Sequence, residues 1–329
     1  MKIFILGAGT WGTALGGVLH DNGHEVVLWH VEADVANEME ESRINPNLPK
    51  YRIPHEIRVT HNFNSAKESD IILITVPCQF IRNVLKRFPP TQNNAIFVFG
   101  SKGIENKSLS RISQIIHQET LVDENRIVAL SGPSHAEEVC LKLPTAVVSA
   151  SQNIESARLI QGVFNNNSFR VYANNDIIGV EIGGAVKNVI AIAAGICDGV
   201  GYGDNTIAAL ITRGLTEIMR LGVSLGGKKE TFFGLSGLGD LIVTANSSLS
   251  RNRYVGKHIG RGKTLSNVLS GMSMVAEGVK TSQSVFDLSK LQSVDMPISE
   301  QIFHVLFDDK NPRQAINDLM TRIPIDEKL

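Results

Sequence analysis

Cysteine is scarce in this chain: three residues in 329, Cys78, Cys140 and Cys197, lie far apart, with no metal-ligand or redox spacing. Their scarcity excludes a disulfide scaffold and a cysteine-based zinc module, and it suits a reducing compartment with the thiols as small apolar filler. An excess of either charge is also missing. Thirty-two Lys and Arg face 33 Asp and Glu, a net charge of −1, so nothing global attracts nucleic acid or an anionic membrane. No histidine pair sits among acids or cysteines as a metal site would need, and neither an internal repeat nor a low-complexity segment is found. No apolar run approaches the roughly 20 residues needed to span a bilayer, so no membrane insertion is expected. The apolar stretch that follows Lys2 is broken by Gly7, Gly9, Gly12, Gly16 and Gly17, and no small-x-small cleavage site follows before Asp21. A signal peptide is therefore not expected; the chain reads as cytoplasmic and complete at its N-terminus.

What is present is an ordinary globular balance, 43% apolar and 20% charged, in a chain long enough for two domains. Short apolar runs at 3–6, 25–29, 71–76, 95–99, 127–130 and 145–149 read as strands, with 169–172 as a last one. Most are apolar on both faces, as strands buried between two helical layers must be. Helical patterns fall between many of them, which predicts an α/β, doubly wound parallel sheet. From about Asp176 the pattern changes. Alanine and leucine recur at helical spacing over 177–198, 205–225, 264–270, 279–291 and 298–306, and few strand signals remain. The expected division is a dinucleotide-binding domain at 1–175 and an all-helical domain at 176–329.

Gly7-Ala-Gly9-Thr10-Trp11-Gly12 is a G-x-G-x-x-G motif that follows a strand, opens an apolar helix and leads to a second strand near residue 25. In that frame the motif reads as the phosphate-binding turn of a Rossmann-type unit. Gly7 permits the tight turn, Gly9 lets the backbone approach a pyrophosphate, and Gly12 lets helix and strand pack closely. An acid directly after the second strand would repel a 2′-phosphate. Here His30 follows Trp29, with Glu32 two residues on, so NADP is admissible beside NAD; His30 reads equally as a plain surface histidine.

Two loops fall where ligands of such sheets sit, beyond the carboxyl ends of strands. Ser101-Lys102-Gly103-Ile-Glu105 and Ser131-Gly132-Pro133-Ser134 both suit an anion. In the second half, Ile182-Gly-Gly-Ala-Val-Lys187-Asn188-Val-Ile-Ala-Ile-Ala-Ala194 is apolar nearly all round and so expected to be buried. A buried lysine is costly unless paired, and desolvation suits it to proton exchange; the bland alternative is a lysine snorkelling at a helix edge. Asp240, after Gly237-Leu-Gly239, is placed to bind a neighbouring lysine or a substrate hydroxyl, or to cap a helix. Arg251 and Asn252 at a helix start would bind a phosphate. The basic stretch from Arg251 to Lys263 also admits a nucleic-acid reading, but it has one aromatic, Tyr254, in an otherwise neutral chain.

Taken together, Gly7–Gly12, Ser101–Glu105, Ser131–Ser134, Gly183–Asn188, Gly237–Asp240 and Ser250–Arg253 resemble bacterial-type NAD(P)-dependent glycerol-3-phosphate dehydrogenases, in order and along essentially the whole length. The resemblance implies an enzyme transferring hydride between NAD(P)H and dihydroxyacetone phosphate, for glycerophospholipid synthesis, and a homodimer. It implies that Thr10, Trp11 and His30 lie along the dinucleotide, that Lys102 touches both cofactor and substrate, and that Gly132 and Ser134 contact substrate and Ala136 cofactor. Lys187 corresponds to the family's proton acceptor. Asp240, Ser250, Arg251 and Asn252 would hold glycerol 3-phosphate, with Arg251 also reaching the cofactor. Asn188 and Thr244 would line the same pocket, and Val275 and Glu277 would close over the cofactor. Ala245 departs from the family pattern, which has a cysteine after Thr244. A hydroxy-acid dehydrogenase of the same plan, preferring a carboxylate, and a non-enzymatic nucleotide sensor, which could lose Lys187 and Asp240, are the rival readings.

Overall fold

Runs apolar on both faces can be buried only between two layers, and in the computed structural model they form one sheet. The structure describes residues 1–91, 95–324, 326 and 327. Eight strands are found among them: β1 (Lys2–Leu6), β2 (Glu25–Trp29), β3 (Arg58–Thr60), β4 (Ile71–Ile74), β5 (Ile96–Phe99), β6 (Ile127–Ser131), β7 (Thr145–Ala150) and β8 (Phe169–Asn174). Their spatial order is β3-β2-β1-β4-β5-β6-β7-β8. Chain order reverses between β1 and β4, so the crevice outside their carboxyl ends is the switch point where such sheets bind ligands. Helices α1 (Thr10–Asp21), α2 (Ala33–Ser42), α3 (Cys78–Leu85), α4 (Ile112–Thr120), α5 (Ala136–Cys140) and α6 (Ile154–Phe164) connect the strands.

Two features correct the expected sheet. β3 was not expected: Arg58-Val-Thr60 has a single apolar residue and no periodicity to read. β7 runs antiparallel to β6. The five-residue α5 is too short for the right-handed crossover that parallel neighbours need, so the chain turns back instead.

By contacts the chain forms two units, residues 1–102 with 112–177, and residues 103–111 with 178–329. The second is helical: α7 (Ile177–Val200), α8 (Asp204–Ser224), α9 (Asp240–Asn246), α10 (Arg251–Gly260), α11 (Leu265–Ser270), α12 (Glu277–Leu291), α13 (Pro297–Phe307) and α14 (Pro312–Met320). A division at 175/176 leaves the arm 103–111 on the other side from the unit it packs in. The arm is tied there by an Arg111–Glu181 ion pair and by Ser284 Oγ, which donates to Ile104 O at 2.9 Å and to Asn106.

Helix α7 overturns one expectation from composition. Its 24 residues, with mean hydropathy 1.7 in the best window, are long and apolar enough to cross a membrane. In the fold, 94% of that window is buried inside the protein, so α7 is the core helix of its unit, with Val186, Val189 and Ile190 fully enclosed.

Candidate active site

In the first unit the glycine motif sits at the switch point. Gly7 turns at φ +116°, a conformation open to glycine. A Cβ on Gly12 would lie 2.0 Å from the Gly7 carbonyl oxygen, so the start of α1 presses directly on the loop. Gly9 behaves differently: among the described residues nothing comes within 4 Å of where its Cβ would be, which leaves the room a pyrophosphate needs. Thr13 N–H is bonded to Gly9 O at 2.9 Å, so the preceding N–H groups, of Thr10, Trp11 and Gly12, lie ahead of any intrahelical acceptor and suit an anion. The residues present therefore fit a dinucleotide.

Beside the loop, the Trp11 indole lies against Gly100, where a Cβ would be 2.6 Å from Nε1. Lys102 follows two residues on, and its Nζ donates to Gly132 O at 3.2 Å. Ser134 Oγ donates to the same carbonyl at 3.0 Å, and Ala136 opens α5. Lys102, 30 residues before Gly132, thus joins Gly132 and Ser134 in one cluster. His30 directly follows β2; its N–H donates to Thr60 O at 2.9 Å, and ring Nδ1 lies 3.1 Å from the Glu32 N–H.

In the second unit Lys187 is 5% exposed. Its Nζ donates to Asp240 Oδ1 at 2.8 Å and to Thr244 Oγ1 at 2.6 Å. The carboxylate offsets the cost of burying the ammonium, and the two acceptors fix where it points. Local structure explains the placement. One π-helical turn, Leu235–Gly239, precedes α9, and Gly183 of α7 leaves space for it: a Cβ there would lie 3.0 Å from Ser236 O. Asp240 and Thr244, one helical turn apart on α9, then both face Lys187.

A second cluster adjoins Lys187 in sequence. Asn252 Nδ2 donates to Asn188 Oδ1 at 2.9 Å, and Asn252 Oδ1 accepts the Gly278 N–H at 2.9 Å. These bonds join α7, α10 and the start of α12, the helix that Glu277 opens. Val275, before it, is exposed. Arg251 is exposed at the first position of α10, and Ser250 Oγ caps that helix by accepting the Arg253 N–H at 3.2 Å. Arg253 and Lys257 are bound to Asp198 at 2.7 and 3.0 Å, so these two members of the basic stretch are paired within the fold. Among the described residues, no group of three or more His, Cys, Asp or Glu is placed to hold a metal ion.

Residues 2–157 and 176–317 match the family described as NAD-dependent glycerol-3-phosphate dehydrogenase, N-terminus and C-terminus respectively. The chain belongs to this family. A glycerol-3-phosphate dehydrogenase [NAD(P)+] from Bacillus pumilus is 51% identical over 99% of this chain and 96% of its own length. Its counterpart from Bacillus subtilis is 50% identical over 98% and 94%. The crystal structure of glycerol-3-phosphate dehydrogenase from Coxiella burnetii superposes with a TM-score of 0.93 at 38% identity, covering 98% of this chain and 99% of that one.

Sequence reading missed several residues that shape these clusters in this dehydrogenase-family chain. Thr75, read as strand, lies just past β4 and donates to Gly7 O at 2.7 Å. Glu181, one and a half turns before Lys187, holds the arm through Arg111. Its charge in an apolar helix was the available signal. Asn45 had none, since a single Asn in a loop rich in Asn and Pro reads as turn chemistry.

Proposed function

We infer that this chain is an NAD(P)-dependent glycerol-3-phosphate dehydrogenase, catalysing reversible hydride transfer between NAD(P)H and dihydroxyacetone phosphate to give sn-glycerol 3-phosphate. The observation that carries the reading is the buried Lys187–Asp240–Thr244 cluster, next in sequence to the Asn188–Asn252 pair, in a chain of this family. The nicotinamide, when bound, supplies the hydride. Gly7, Gly9, Thr10, Trp11 and Gly12 bind the pyrophosphate side of the dinucleotide. His30, Lys102, Ala136, Arg251, Val275 and Glu277 complete its contacts.

Lys187 Nζ holds a proton at the ketone oxygen and gives it up as the alcohol forms; in reverse it takes the hydroxyl proton. Asp240 and Thr244 keep Nζ aimed. Arg251, Asn252 and Ser250 anchor the phosphate, so binding energy remote from C2 holds the reacting carbon in place. Asn188, Lys102, Gly132 and Ser134 complete the substrate contacts. On this reading residues 1–175 supply most of the dinucleotide contacts, and residues 176–329 supply the proton-transfer group and the phosphate anchor. The enzyme works as a cytoplasmic homodimer supplying glycerophospholipid synthesis. Family membership supports these last points.

The test follows nicotinamide absorbance with dihydroxyacetone phosphate, using NADH and NADPH in parallel. Oxidation of at least one is expected. Oxidation of neither, or turnover of a 2-oxo acid in place of dihydroxyacetone phosphate, overturns the reading.

A further inference from the structure

Three successive carbonyls in the glycine loop each have an assigned donor. Gly7 O accepts from Thr75 Oγ1 at 2.7 Å and Gly9 O from Thr13 N–H at 2.9 Å. Ala8 O accepts from Asn45 Nδ2 at 3.1 Å. Asn45 lies 37 residues away on the loop after α2 and is 1% exposed. Its amide is fully used: Nδ2 also donates to Thr13 Oγ1 at 2.8 Å, and Oδ1 accepts the Asn47 N–H at 2.9 Å. The Gly7 and Ala8 N–H groups are both taken by Trp29 O, at 3.1 and 2.8 Å.

The peptide between Ala8 and Gly9 is the weak point of this arrangement. It can rotate by changing ψ of Ala8 and φ of Gly9 together, and Gly9 offers no steric resistance: it has no Cβ, and among the described residues nothing comes within 4 Å of where one would be. A flipped peptide would exchange the Gly9 N–H for the Ala8 carbonyl oxygen on the open face, where it would repel a pyrophosphate. The freedom that lets the phosphates approach also lets the loop turn the wrong group toward them.

We propose that Asn45 is a positioning residue for the dinucleotide, holding the Ala8 carbonyl inward so that the loop presents N–H groups to the pyrophosphate. The proposal rests on the dehydrogenase reading above. Asn45 is buried with its amide spent inside the protein, so its effect should fall on cofactor binding, and on NADH and NADPH equally, because both carry the same pyrophosphate.

The test is fluorescence titration of the full-length protein with NADH and with NADPH, for wild type, Asn45→Leu and Thr13→Val, at a temperature where circular dichroism shows each folded. Asn45→Leu removes the donor at similar volume and should raise both Kd values roughly tenfold, the cost of one well-placed hydrogen bond. KM for NADH should rise with it, while kcat at saturating cofactor and KM for dihydroxyacetone phosphate stay within about twofold. Thr13→Val keeps the Asn45–Ala8 bond and should leave Kd within about twofold. Asn45→Ala replaces Asn45→Leu if the latter does not fold. A folded Asn45 variant with unchanged Kd, or one altered only in KM for dihydroxyacetone phosphate, overturns the proposal. A wild type that binds neither nucleotide overturns the functional reading instead.

Discussion

Removing Lys187 does two things at once. It takes away the proposed proton donor, and it strands Asp240, 2% exposed, without the ammonium 2.8 Å away. Lys187→Ala should therefore lower kcat by about 10²-fold or more and also cost about 3–5 kcal/mol of stability, because a buried carboxylate loses its partner. The two effects separate in the double variant Lys187→Met with Asp240→Asn. Urea denaturation should show much of the stability recovered, and steady-state assays should show turnover still lost. Recovery of turnover in the double variant would remove Lys187 from the chemistry. A stable Lys187→Ala would mean the pair carries little of the fold.

Among elements, the crossing of α7 and α10 depends on four glycines. A Cβ on Gly195 would lie 2.1 Å from Arg253 O and one on Gly199 2.2 Å from Lys257 O. From the other side, Gly256 would meet Ile192 O at 2.0 Å and Gly260 would meet Ile196 O at 2.4 Å. The backbones touch, and this closeness brings Asn188 of one helix to Asn252 of the other. Gly256→Ala should cost about 2–4 kcal/mol, read from denaturation midpoints, because the obstacle is backbone and cannot rotate away. KM for dihydroxyacetone phosphate should rise as the Asn188–Asn252 bond lengthens. Wild-type stability would mean the helices part without loss. The glycine motif at 7–12 was legible because strand, turn and helix adjoin it in sequence. The 195/199 and 256/260 pairs were not: glycine four residues from glycine has meaning only once two distant helices are known to meet. β3 was too short to show a period, and the direction of β7 is set by the brevity of α5, whose extent the residues do not announce. Lys187 stood out because charge in an apolar run is visible locally, whereas its partners Asp240 and Thr244 lie 53 and 57 residues away.

For the molecule as a whole, stability depends on a carboxyl that the proposed chemistry does not use. Glu217 of α8 accepts the N–H groups of Ile298 and Ser299, at 2.6 and 3.0 Å, and the Ser299 hydroxyl at 2.9 Å, so it caps α13. Burial pushes it up to about 7 against the pull of those donors. A folded pKa above the ordinary 4.5 means the folded state holds this proton more tightly than the unfolded one. Its contribution is complete below about pH 4.5 and lost as pH rises through about 7. Wild type should lose stability on the order of 3 kcal/mol over that range, and Glu217→Gln should lack this component when denaturation is repeated at several pH values. Parallel pH curves for the two would refute it.

The arm at 103–111 has a consequence for how the protein is made. The chain leaves the first unit after Lys102, returns at Ile112, and leaves again after Ile177. The arm is therefore synthesised before the groups that hold it: Arg111 precedes Glu181 by 70 residues, and Asn106 precedes Ser284 by 178. A ribosome that has completed the sheet has already released a segment with no place in it, which must wait for α12 before its last bonds close. Such long loops close slowly, so the arm docks late in folding. A gene fragment ending at Ile177 would encode every strand of the sheet together with a peptide that belongs to the missing half.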